Sequence, residues 1–411
     1  MKPSKCRLCY LASCLVFGAG LAWHSAARAD SEPPPLKIGV LDDMSGPNSE
    51  NSGVGTVEAI KMAIEDYGGK VLGRPIQLLL GTDQNKPDIA VSLAREWYTR
   101  DGVSMITGLP NSASSLAVNQ IAHELGKVDI VAAAASADIT GKGCSPNSVH
   151  WFHDTYADAK ALVDAMTAQG VNSWFFITVD YNFGLTLEAD ATRFIEQHGK
   201  HVLGAARHPL GELDFSNVVL RAQASGANVI GLANASADLG NTIKVVHEFH
   251  VTEKGQRVVA FFLNTPQVEG VGQDVTQGMI TVTPIFPALN AETIAWSERF
   301  SKRLGGKPRA PSAQMLGAYG ATLHYLKAVA AAGTDEGAAV MAKMRELPVN
   351  DMTIKNGHIR ADGRLIRDLY VVQVKPSSES TSRFDFFKVL ATIPGDQAFR
   401  PLSDGACPYA K

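Results

Sequence analysis

Apolar and polar positions alternate along this chain with two different periods, and the two periods take turns. Leu36–Leu41 is a nearly unbroken apolar run, as expected of a strand buried on both faces. After a polar loop, Asp42–Ser52, the residues Ile60, Ala63, Ile64 and Tyr67 recur at the spacing of one helix face. Pro75–Leu80 then reads as a strand and Asp88–Thr99 as a helix, with Pro87 at its start, where a missing N–H costs nothing. Val103–Thr107 (strand), Ser114–Leu125 (helix) and Val128–Ala133 (strand) complete the first series.

The pattern restarts after a break. Ala157–Gln169, Leu187–His198, Phe215–Ala224 and Asp238–Phe249 have helical periodicity. Trp174–Val179, His201–Ala205, Val229–Leu232 and Val258–Leu263 lie between and after them as strands. Two β-α-β series predict two parallel sheets with helices on both faces. Ligands of such sheets sit in the loops beyond the carboxyl ends of the strands. The last third adds a strand at Met279–Val282, helices at Ala291–Leu304 and Gln314–Ala331, and an antiparallel pair at Leu369–Val374 and Phe386–Leu390. These pieces are too few for a core of their own and are expected to complete the two lobes.

The first 29 residues stand apart. Lys2, Lys5 and Arg7 precede a stretch without charge from Leu8 to Trp23, and Ala27-Arg28-Ala29 offers a small-residue cleavage site. This is the order of a secretory signal peptide, so the mature chain is expected in the periplasm. Its removal leaves 34 basic against 41 acidic residues, a balance that argues against a nucleic-acid partner. Cys6, Cys9 and Cys14 would leave with it. Cys144 and Cys407 remain, and an even pair in an oxidising compartment reads as one disulfide.

Chemistry is harder to find. His247-Glu248-Phe249-His250 has the wrong spacing for a zinc-protease helix, and His150-Trp151-Phe152-His153-Asp154 lies in an extended run that points its side chains apart. Neither is expected to hold a metal. Gly53-Val54-Gly55 lacks the third glycine of a dinucleotide loop, and no Gly-x-Ser-x-Gly elbow occurs. No cofactor and no enzymatic activity are expected. What the chain offers is polar strand-end loops. Gly108–Ser115 contains Asn111, Ser112 and Ala113, and Ala134-Ala135-Ser136-Ala137-Asp138 follows the next strand. Unpaired N–H groups at a helix start suit an anion. Ser112 and Ser136 read equally well as helix caps.

Several fragments, in order, resemble the branched-chain amino-acid binding proteins of ABC importers, the type I periplasmic binding proteins. They are Lys37-Ile38-Gly39-Val40, Met44-Ser45-Gly46-Pro47, Asp83 with Lys86-Pro87, Gly108–Ser115, Asp138-Ile139-Thr140, Asp180-Tyr181-Asn182-Phe183-Gly184 and Asp214-Phe215-Ser216. The resemblance implies an α/β fold of two Rossmann-like lobes that close like a Venus flytrap. Three crossovers would join them, near Phe152–Asp154, Thr283–Pro287 and Asn356–Ile359. Lobe 1 would then be 36–152 plus 286–356, lobe 2 would be 153–285 plus 357–392, and 393–411 a C-terminal tail.

The resemblance also implies a site. Ser112, Ala113, Ala134, Ala135 and Ser136, with Asn111 beside them, would take a ligand carboxylate. Tyr156, Tyr181, Asn234, Asn264 and Thr265 would come from the second lobe, and Asn51 would close the rim. The amino-acid binders place a carboxylate in the second lobe for the ligand's ammonium group. The corresponding loops here read Leu263-Asn264-Thr265-Pro266-Gln267 and Asn234-Ala235-Ser236, with Asp238 the nearest acid. The sequence is in this respect similar to the branch that binds aromatic acids. The expected partners are a small carboxylate and an inner-membrane permease, with the protein a monomer. A sensor feeding a receptor is the competing reading.

Overall fold

The computed structural model describes residues 33–304 and 309–410. The expected leader, 1–29, lies outside the described residues. From Pro34 onward the chain forms one compact unit built of two α/β lobes.

The first sheet runs in the order Lys70–Val71, Arg74–Gly81, Leu36–Leu41, Val103–Gly108, Val128–Val131, Ser148–His150. All pairs are parallel except the first, a short hairpin. Leu36, Ile38, Val40 and Leu41 are fully buried, which explains the continuous apolar run. The second sheet is wholly parallel, in the order Arg257–Ala260, Val229–Ala233, Ser173–Val179, His201–His208. A third sheet is antiparallel. Leu369–Val374 sits between Phe387–Ile393, its expected partner, and Ile280–Thr283.

Helices follow the predicted series with small shifts. The helix after Val103–Gly108 starts at Ser112, not Ser114, because the Asn111 side chain caps it. Gly337–Glu346 and Thr265–Val271 are short helices that periodicity did not reveal. Val128–Val131 and Arg257–Ala260 end sooner than expected. Beyond them the chain turns into the loops that carry Ala133–Ser136 and Phe262–Asn264.

Two buried arginines tie together segments far apart in sequence. Arg364 donates to the backbone carbonyls of His150 and Phe152, to His150 Nδ1 at 2.8 Å and to Asp154 Oδ2 at 3.2 Å. Arg367 donates to the Pro284 carbonyl at 2.6 Å and the Thr353 carbonyl at 3.1 Å. The segment Asn356–Ile359, where the resemblance implies the third crossover, leads into a hairpin whose Arg364 bridges His150 of the first sheet. His358–Ile359 and Leu365–Ile366 form a hairpin, and Ile359 and Leu365 are buried with Leu36, Ile38 and Val149 of the first lobe. Their apolar contacts and the Arg364 bonds keep this hairpin on the first sheet.

The tail returns to the first lobe. Phe399 is buried under the Arg364 guanidinium, 4.7 Å from its ring centre. Arg400 donates to the Ala137 carbonyl, and its own carbonyl accepts from Arg360. Cys407 is joined to Cys144 by a disulfide, with Cα atoms 5.6 Å apart. Among the described residues, no helix is long and apolar enough to cross a membrane.

Candidate ligand-binding site

Between the lobes lies a small cavity, partly open to solvent. The first lobe contributes Asn48, Asn51, Ser52, Pro110, Ala133, Ala135 and Gln314, and the second Tyr181, Phe183, Ala235, Ser236 and Phe262. No Lys, Arg, Asp or Glu is among these lining residues.

Two consecutive aspartates shape the loop bearing Asn48, Asn51 and Ser52. Asp43 accepts from the Gly46 and Asn48 N–H groups and from Asn85 Nδ2. Asp42 accepts from the Asp43 and Gly53 N–H groups. Gly53 has φ +60°, and a Cβ there would stand 2.6 Å from the Asp43 carbonyl oxygen, so only glycine fits. Burial raises the Asp42 carboxyl to about 6, opposed by the bond from Gly53.

The two carboxylate loops expected from sequence are bonded internally. Asn111 Oδ1 accepts from the Ala113 and Ser114 N–H groups at 3.0 and 3.1 Å. Those donors, expected to face an anion, are therefore occupied by the cap. Ser112 Oγ accepts from the Ser136 N–H at 3.3 Å, leaving its own hydroxyl proton free in direction. Ser136 Oγ lies 3.3 Å from Thr186 Oγ1 of the other lobe and accepts from the Asp138 N–H. Ala135 lines the cavity, whereas the Ala134 carbonyl is held by His150 Nε2 at 2.8 Å.

In the second lobe the expected residues divide. Tyr181 is on the cavity wall, and burial raises its hydroxyl, with Asp238, Asp43 and Asp83 pushing the same way. Tyr156 is elsewhere, edge-on to Phe194 at 5.1 Å and beneath Arg193. Its place is lobe packing, because the helix from Thr155 turns it toward the neighbouring helix, Asn182–Gln197. Asn234 is buried behind the wall, donating to Thr242 Oγ1 and His208 Nε2. Asn264 Oδ1 accepts from the Ala313 N–H across the lobes, and Thr265 is buried in the helix that follows. Asp238 does not line the cavity. It accepts from the Gly211 N–H at 3.0 Å, and burial raises its carboxyl to about 6.

Sequence reasoning missed Phe262, Phe183, Gln314 and Ser236 as wall residues. Gln314 left a signal, a lone amide in the first turn of a helix that is apolar on every side. Ser236 left none, since its φ of +54° is visible only in the fold. The histidine-rich run around His150 serves the cleft from behind. His153 pairs with Asp158 at 2.5 Å and stacks on Phe262 with ring centres 4.9 Å apart. Among the described residues no group of three or more His, Cys, Asp or Glu is placed to hold a metal.

The lobes touch directly around the cavity. Gln267 Nε2 donates to Glu50 Oε2 and Asn51 Oδ1, the Ala237 N–H to the Pro47 carbonyl, and Asn182 Nδ2 to Asp138 Oδ2. The cleft is closed.

Known proteins share this arrangement. A periplasmic binding protein from Burkholderia mallei is 40% identical, with 92% of this chain and 99% of that chain covered and a TM-score of 0.88. A branched chain amino acid ABC transporter periplasmic ligand-binding protein from Burkholderia xenovorans is 34% identical, with 92% and 100% covered and a TM-score of 0.79. A Leu/Ile/Val-binding protein homolog from Brucella abortus is 24% identical over 311 residues, 71% of each chain. A family model described as periplasmic binding protein matches residues 35–381. With most of its length matched by that model, the chain belongs to the periplasmic binding protein family.

Proposed function

We propose that this protein is exported to the periplasm and captures a small organic acid for an ABC permease, and that the acid lacks an α-amino group. The observation that carries the reading is the cavity wall. It combines three aromatic rings, Tyr181, Phe183 and Phe262, with neutral polar groups and no charged side chain. An ammonium group buried there would have no counter-charge, at a cost of several kcal/mol. A carboxylate needs only donors. The Asn51 amide on the wall can supply one beside Pro110 and Ala135, and bonds to a charged group are worth about 1.5–3 kcal/mol each. The rings would pack against the organic body of the ligand. Three crossovers stapled by Arg364 and Arg367 would act as the hinge. Relatives that bind and deliver solutes favour transport over sensing.

Calorimetry with matched pairs tests this reading: phenylpropionate against phenylalanine, and 4-methylpentanoate against leucine. The deaminated acid of each pair should bind more tightly. Tighter binding of both amino acids would sink the proposal and turn attention to Asp238 as the ammonium partner.

A further inference from the structure

The closed cleft contains a chain of amides whose polarity is fixed from both ends. Gln267 is fully buried on the second lobe. Its Oε1 accepts from the backbone N–H of Asn264 at 3.3 Å. Its Nε2 donates to the Glu50 carboxylate at 2.8 Å. A backbone N–H can only donate and a carboxylate can only accept, so the Gln267 amide has one permitted orientation. The remaining N–H of Gln267 donates to Asn51 Oδ1 at 2.9 Å. That contact fixes the Asn51 amide in turn, and its Nδ2 faces away from Gln267.

Asn51 is itself 2% exposed and lines the cavity. Its Nδ2 is buried and has no hydrogen-bond partner among the described residues. Leaving such a donor unmet costs energy that a bound acceptor recovers. The Asn51 backbone cannot turn away to relieve it, because its carbonyl accepts from Ser312 Oγ at 2.5 Å.

We infer that Asn51 Nδ2 donates to the carboxylate of the bound acid, and that Gln267 is the positioning residue that holds this amide with its donor toward the ligand. The inference rests on the acid reading of the cavity. It goes further, because it assigns the preference for an acceptor over a donor to a residue on the opposite lobe that does not line the cavity. It also makes the reading of the ligand depend on closure. Only when Gln267 reaches Glu50 and Asn51 across the cleft is the amide polarised one way.

The test exchanges the two ends of the latch. In the double variant Glu50→Gln/Gln267→Glu the bond between positions 50 and 267 is kept with its direction reversed. The carboxylate introduced at position 267 can only accept, so Asn51 must turn its Nδ2 to it and present Oδ1 to the cavity. Benzoate, which only accepts there, and benzamide, which can donate, are the probes, with affinities measured by calorimetry on the full mature chain. Wild type should prefer benzoate. The exchange should lower the benzoate-to-benzamide affinity ratio at least tenfold, with cooperative unfolding of the unliganded protein preserved. Gln267→Leu, which frees the Asn51 amide to turn without adding charge, should lower the same ratio and serves where the double variant does not fold. A merely structural latch would weaken both probes alike and leave the ratio unmoved, which overturns the inference while the acid reading stands. Wild type that binds benzamide as well as or better than benzoate overturns both.

Discussion

The Cys144–Cys407 bond makes a quantitative prediction. It closes a loop of 263 residues in sequence, for which loss of chain entropy in the unfolded state predicts about 5–6 kcal/mol. Measured values fall short of this model, so about 2–5 kcal/mol is the expected range. The bond also ends a tail that starts on the antiparallel sheet of the second lobe and finishes on the first, anchored on the way by Phe399 and Arg400. Cys144→Ser/Cys407→Ser should therefore lower the melting temperature by roughly 3–6 °C, given the unfolding entropy of a chain this size. The measurement is a thermal melt of the variant beside wild type with and without a reducing agent. Reduced wild type should melt with the variant. If the variant melts within about 1 °C of the oxidised wild type, the long-loop argument fails and the packed tail alone fixes the C-terminus.

Two further outcomes follow from the site. Tyr156→Phe should leave ligand affinity within twofold of wild type, whereas Tyr181→Ala should weaken it tenfold or more, because only Tyr181 is on the cavity wall; comparable losses in calorimetry would contradict the geometry. Asp42 titrates near pH 6 in the fold because burial disfavours its charge, so the unfolded chain gives up this proton first and the residue's contribution to stability is lost as pH rises from about 4 through 6. Asp42→Asn, measured by denaturant unfolding across that window, should gain on wild type by up to about 3 kcal/mol as pH rises; a pH-independent difference would refute the assignment.

Much of the fold was legible because it depends on local patterns. Leu36–Leu41 reads as a strand from its apolar run alone, and Asp88–Thr99 as a helix from its period and Pro87. The hairpin of His358–Ile359 and Leu365–Ile366 was not foreseen because His358–Leu365 carries no period. Its position is set by Arg364, whose partners His150 and Phe152 are more than 200 residues away in sequence. The site was legible only in part, for the same reason. Strand-end loops announce themselves, so the regions around Ala135 and Tyr181 were found. Which side chain turns inward is a tertiary matter. Asn111 commits its oxygen to a helix cap, Asn234 commits its amide to Thr242 and His208, and Gln314 is brought to the wall by a helix from the last third of the chain.

Hydrogen bonds gained and lost on closure explain how such a cleft can depend on its ligand. Closure makes direct bonds between the lobes: Gln267 with Glu50 and Asn51, Asn264 with Ala313, Pro47 with Ala237, Asp138 with Asn182. At about 1.5–3 kcal/mol for the two bonds to carboxylates and about 0.5–1.5 kcal/mol for each of the others, the set contributes roughly 5–10 kcal/mol. In the closed cleft Asn51 Nδ2, Gln314 Oε1 and Ser236 Oγ are buried with no partner among the described residues. At about 1–3 kcal/mol each, these cost on the order of 5 kcal/mol. The second sum offsets part of the first. A ligand carboxylate that accepts from Asn51 Nδ2 and Ser236 Oγ removes part of that cost without touching the latch. Moving a population from 1:99 to 99:1 takes about 5.5 kcal/mol, and this relief supplies part of it. On the reading proposed here, the unmet atoms of the wall, more than the bonds of the rim, make closure conditional on the right solute.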